Sequence, residues 1–147
     1  MKNLFIPLFS YLLHIKSQVI GISFVDSTSI KVCHCKPISR NQVFKGLARR
    51  WKTTAGWFYG FKLHLIINDK GEIVAFQLTP GNVSDVTMLE RLTTGVWGKL
   101  FGDKGYISAR QAESLFLRQV HLIGGLRAKM KQKLLPIMNK ILLRKRS

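Results

Sequence analysis

Hydrophobic and polar positions alternate through GISFVDSTSIKVC (21–33), so that Ile22, Phe24, Thr28, Ile30 and Val32 share one face of an extended strand and Asp26 sits in the same row. A carboxylate in an apolar row is costly unless it is paired or bound to a metal, which makes Asp26 the first residue that needs a reason. WFYGFKLHLII (57–67) alternates similarly, with Phe61, Leu63, Leu65 and Ile67 set against Lys62, His64 and Ile66. It runs through Asn68-Asp69-Lys70-Gly71 into EIVAFQLT. Two strand patterns joined by a short polar link ending in glycine predict a hairpin, with Gly71 taking the left-handed position. The stretch 36–52 is polar and basic, broken by Pro37 and Gly46, and is expected to form a loop or a short irregular helix.

After TPGNVSD the period changes. Val86, Leu89 and Leu92 recur at helical spacing, with Asn82 or Ser84 as the cap and Asp85 at the favourable positive end of the helix dipole. KLFGDKGY predicts a short buried strand ending at Asp103, between Gly102 and Gly105. Ser108 and Gln111 have capping-box spacing for a helix through Arg118, with Ala112, Leu115 and Phe116 inward. HLI predicts one more strand; a basic turn and a last helix in LLPIMNKILL follow, the helix packing its apolar side on the sheet rather than on a membrane surface. The opening MKNLFIPLFSYLL has an apolar run but no small-residue cleavage site, and at about ten residues the run is too short to cross a bilayer. Residues 1–19 are therefore read as a packed or leftover helical segment. The succession of three strands, helix, strand, helix, strand, helix predicts one mixed α/β domain over 20–147.

Composition narrows the partner. The chain has 147 residues, 46% hydrophobic, with 24 Lys+Arg against 7 Asp+Glu and a net charge of +17. That much apolar material excludes a disordered basic tail, and the charge favours a polyanion, nucleic acid above all. The acids are Asp26, Asp69, Glu72, Asp85, Glu90, Asp103 and Glu113, so any carboxylate chemistry draws on these seven. Cys33 and Cys35 are too close for an unstrained disulfide and fit a reducing compartment. Cys33-His34-Cys35 also has the wrong spacing for a zinc site, whose cysteines are normally two or more residues apart.

Asp26 in mid-strand and Asp103 at a strand end both stand where an apolar residue is expected. On neighbouring strands they would suit Mg²⁺ or Mn²⁺ and phosphodiester chemistry; alternatively one caps a turn and the other pairs with a lysine such as Lys104. Lys62 and Lys104 are candidate phosphate contacts, against a solvated-surface alternative. Arg49, Arg50 and Lys52, close to Trp51 and Trp57, could track a DNA backbone and stack on a splayed base, unless the tryptophans belong to the core. Asp85 is a rival metal ligand, although capping its helix is enough to explain it.

Taken in order, FVDST, FKLHLIINDKGEIVAFQLTPGNVSD and GDKGY resemble the DDE transposases of bacterial insertion sequences, members of the RNase H-like superfamily. The resemblance implies an RNase H-like mixed sheet, three antiparallel strands and then parallel ones, with flanking helices. It places the first catalytic aspartate at Asp26 and the second at Asp103, both as ligands of Mg²⁺ or Mn²⁺. It also implies DNA as partner (insertion-sequence ends and target), a cytoplasmic, nucleoid-associated location in a bacterium, and no membrane, with self-association left open. The family's third catalytic residue is a glutamate on a helix beyond the last strand, and no acid follows Glu113 in these residues. The expectation is thus a core truncated at both ends, incomplete at its C-terminus and impaired as an enzyme. The competing expectation is a non-catalytic basic DNA-binding remnant that interferes with the intact transposase.

Overall fold

The computed structural model describes residues 5–33, 38–40, 42–53, 56–124 and 136–145. The elements are α1 (Phe5–His14), β1 (Ile22–Cys33), β2 (Arg49–Thr53), β3 (Gly56–Asn68), β4 (Ile73–Pro80), α2 (Asp85–Leu92), β5 (Gly98–Gly102), α3 (Ala109–Leu117), β6 (Val120–Gly124) and α4 (Ile137–Lys145), with 3₁₀ turns at Ile38–Arg40 and Lys104–Tyr106.

β3 is the hub of the sheet. One of its edges pairs antiparallel with β1, from Ser23↔Asn68 to Cys33↔Tyr59. Its other edge takes β2 against Gly56–Gly60 and β4 against Phe61–Ile67. β1 continues the sheet in parallel with β5, and β5 in parallel with β6, giving the order β2-β3-β1-β5-β6 with β4 beside β3. Register shifts at Lys31/Cys33 and Ile66/Ile67 bend the long strands, as bulges do, and the sheet curls. Gly60 pairs with both Lys31 and Arg49, and a Cβ there would run into the Ile30 carbonyl, so no side chain fits. The result is a curled mixed sheet with four α-helices among the described residues.

α2 and α3 cover one face of the sheet. Val25, Ile66 and Val74 from the strands meet Leu89, Leu92 and Leu115 from these helices, together with Leu100 and Val120. A fully buried leucine such as Leu89, Leu100 or Leu115 contributes about 1.5–3 kcal/mol. On the other face Phe44 and Ala48 pack on Tyr59 and Phe61. Phe9 of α1 stacks on Phe76 of β4 at 5.6 Å, and Lys99 of β5 donates to the Asn139 side chain of α4.

The β3–β4 hairpin forms as expected. Gly71 has φ +85°, and the Asn68 side-chain oxygen accepts the Lys70 and Glu72 amides at 3.1 and 2.9 Å. Hydrogen bonds from the Ser17 hydroxyl and then the Asn68 amide hold the exposed Glu72 carboxyl below its ordinary pKa.

Several expectations need correction. The last four residues of 36–52, expected as loop or irregular helix, belong to strand β2, an exposed strand whose backbone is held by β3 while its side chains show no apolar alternation. Trp51 and Trp57 are not core; they are 41% and 55% exposed. Phe116 is 60% exposed and meets the His121 ring edge-on instead of turning inward, so α3 buries Leu115 alone. Ser108 is the N-cap of α3, but its side chain makes no capping bond, so the expected box is not closed. α4 leaves Ile137, Met138 and Ile141 exposed and buries Asn139. His34, Cys35 and the basic turn with Leu134 and Leu135 lie outside the described residues.

Candidate metal and DNA site

Asp26 is the fifth residue of β1 and pairs with Leu65 of β3. It is exposed, so its place in an apolar row carries no desolvation cost, and its Oδ1 accepts the Ser27 amide at 2.8 Å. Asp103 immediately follows β5. It too is exposed, and its Oδ1 accepts the Lys104 amide at 2.6 Å, capping the 3₁₀ turn whose Tyr106 is buried in the core. The turn-capping alternative is therefore realised at Asp103.

The parallel register of β1 and β5 sets the two aspartates at corresponding distances past the last paired residues of their strands. Ile22 pairs with Lys99 and Phe24 with Phe101, and the last two rings stack at 5.5 Å. Asp26 and Asp103 each stand two positions beyond that last pair, at matching places on adjacent strands. Beside Asp26 is a cleft of about 260 Å³, lined by Phe24, Leu65 and Ile67, with Asp69 also in its wall. Among the described residues no group of three or more His, Cys, Asp or Glu side chains comes together, so a third carboxylate does not join this pair. Exposed carboxylates such as these are hard oxygen donors of the kind Mg²⁺ takes together with waters.

Asp85 is on the other face of β1. Its Oδ1 accepts the Ser27 hydroxyl and the Lys62 ammonium, each at 3.2 Å, and the Nδ1 of His64 lies 3.7 Å away. It therefore cannot share an ion with Asp26, whose side chain leaves the strand in the opposite direction. Lys62 is 7% exposed and also donates to the Val83 carbonyl at 3.1 Å. Neither a solvated surface nor a phosphate contact describes it: its charge is used inside the protein. His64 is fully buried, with Nε2 3.0 Å from the Thr79 hydroxyl. Burial is the main cause of its lowered pKa; Asp85 opposes that shift and Lys62 adds to it. The sequence reading missed this polar cluster, although Lys62 and His64 share a strand row with Ile66, which is a signal of burial.

Arg49, Arg50 and Lys52 are exposed on β2. The Arg50 guanidinium sits 4.6 Å above the Trp57 ring, and the Lys52 ammonium is 6.0 Å from it. Pairings Arg50↔Tyr59 and Lys52↔Trp57 put these residues on the Trp57–Leu65 row of β3, the face that carries Asp26. Trp57 and Leu65 are about 26 Å apart along the strand at ~3.3 Å per residue. Lys104 is exposed next to Asp103.

A family model described as the Transposase DDE domain matches residues 16–147, nearly the whole chain. The chain belongs to the Transposase DDE domain family. The fold of this DDE domain is similar to that in a solved structure titled as a piggyBac transposase synaptic complex with hairpin DNA, with a TM-score of 0.55 and 12% identity. That likeness covers 78% of this chain and 24% of the other, so the DDE domain spans about a quarter of that transposase. No curated protein matches the chain.

Proposed function

We propose that this DDE domain is the catalytic core of a DNA transposase of bacterial insertion-sequence type, built on an RNase H-like sheet in residues 20–147 with residues 1–19 as an appended helical segment. The observation that carries the reading is that Asp26, in β1, and Asp103, just past the end of β5, stand at matching offsets from the last pair of these adjacent parallel strands, in a chain of charge +17. In this reading the two aspartates hold Mg²⁺ or Mn²⁺. An ion held there would supply activation of a water or 3′ hydroxyl and stabilisation of the leaving oxygen of a phosphodiester. The chain's own residues bind and orient the DNA. Arg49, Arg50, Lys52 and Lys104 neutralise phosphates, and Trp57 offers a face for a base. The partner is DNA, both insertion-sequence ends and target, in a bacterial nucleoid. Among the described residues no helix is long and apolar enough to cross a membrane.

A second reading, a basic DNA-binding protein without catalysis, is favoured by one observation: no third carboxylate meets the pair among the described residues. Both readings expect the chain to bind DNA; the transposase reading adds that the chain alone cleaves it only very slowly. Fluorescence anisotropy with a duplex oligonucleotide tests the shared part. Affinity should fall by about 10³–10⁵ between 50 and 200 mM salt if about six to ten phosphates are contacted. Salt-independent binding would overturn both readings. Efficient Mg²⁺-dependent plasmid cleavage that disappears in Asp26→Asn would retain the transposase reading and remove the impairment.

A further inference from the structure

We propose that Asp85 is a positioning residue that fixes Asp26 and Asp103 relative to one another, an inference that rests on reading that pair as the metal site. The backbone alone leaves a gap at this point. The β1–β5 pairing ends at Phe24↔Phe101, so both aspartates lie just past the last ladder position between their strands. Asp85, the first residue of α2, spans the gap from the opposite face of the sheet. Its Oδ1 takes the hydroxyl of Ser27, the residue after Asp26. Its Oδ2 faces the turn that follows Asp103: a Cβ on Gly105 would lie 3.5 Å from it. One carboxylate therefore bonds the residue after Asp26 and lies close to the turn that follows Asp103.

The carboxylate is itself held in place. The ammonium of Lys62, buried in β3, donates to Oδ1 and to the Val83 carbonyl just ahead of α2, tying the start of the helix to the sheet. The fully buried His64 closes the same side, anchored through Thr79 of β4. Outer partners of this kind fix the orientation of ligands they do not replace, and their loss typically costs 10–100-fold in metal affinity. A Cβ added at Gly105 would meet Oδ2 in ordinary van der Waals contact, so the carboxylate lies directly over this turn.

The test is Mn²⁺ titration of the full chain followed by electron paramagnetic resonance, with circular dichroism to establish that each variant is folded. Asp85→Ala should weaken Mn²⁺ binding about tenfold. Asp85→Asn should bind within about twofold of wild type, because its amide oxygen accepts the same hydrogen bonds; it also controls for the lost charge. The double variant Lys62→Met/Asp85→Ala removes the orphaned ammonium, so it folds even where Asp85→Ala does not, and it should keep the tenfold loss. Wild-type affinity in folded Asp85→Ala, or in the double variant, overturns the positioning role provided Asp26→Asn still weakens binding. If Asp26→Asn binds Mn²⁺ like wild type, the pair is not the site, and the positioning role falls with it.

Discussion

His64 shows how far a single residue depends on its surroundings in this protein. It lies in a strand between Leu63 and Leu65, yet it is fully buried, because Thr79 satisfies one ring nitrogen and Asp85 faces the other. Burial disfavours the imidazolium and lowers the folded-state pKa below the ordinary value of about 6.5. The unfolded chain then takes up a proton that the folded chain refuses. The stability tied to His64 is fully present above the ordinary value and is lost as pH falls through it towards the depressed folded value. The thermal midpoint should therefore drop between about pH 7 and pH 5, and His64→Gln should flatten that part of the profile. Thermal melts by circular dichroism across that range provide the check, and an unchanged slope in the variant would contradict it. The sequence made Asp26 conspicuous for the wrong reason. It looked like a buried charge, but it is exposed, and its interest comes from standing level with Asp103.

At the scale of elements, what the chain repeats was legible and what the backbone alone dictates was not. β1, β3 and β4 were readable because alternation and a glycine-ended link mark long strands and their hairpin. β2 was not: Arg-Arg-Trp-Lys-Thr has no apolar period, and its pairing with Gly56–Gly60 is purely main-chain. Strand faces misled for a related reason. On β3 the row that looks polar, Lys62, His64 and Asn68, is the buried one, since each finds a polar partner: Asp85 of α2, Thr79 of β4 and Glu72 of the hairpin link. Phe116 was read inward from spacing, but an α3 of nine residues buries only Leu115. The β2–β3 unit places Trp57 in solvent beneath two cations, on the face of Asp26. Trp57→Ala should weaken binding of a single-stranded oligonucleotide by about 1–3 kcal/mol, with the thermal midpoint nearly unchanged because the ring is exposed. Anisotropy titration distinguishes this from a packing role, in which the midpoint would fall while affinity held.

Over the whole molecule, seven acids against 24 basic residues divide the labour. Asp85 is spent on Lys62 and Ser27, Glu72 on Ser17 and Asn68, and Glu90 lies by Ser114. Asp26 and Asp103 are exposed at matching strand positions, whereas Glu113 is exposed on α3. In the transposase reading proposed above, this placement, more than the total charge, is what would distinguish an enzyme core from a basic protein that merely adheres to DNA. The central claim is that Asp26 and Asp103 form one divalent-metal site. Mn²⁺ added below stoichiometry to ¹⁵N-labelled protein tests it directly, since a paramagnetic ion broadens only nearby amide signals. The account predicts early loss of the Ser27, Lys104 and Gly105 signals, and their retention in both Asp26→Asn and Asp103→Asn. Broadening centred elsewhere, or the same broadening in either variant, would contradict it.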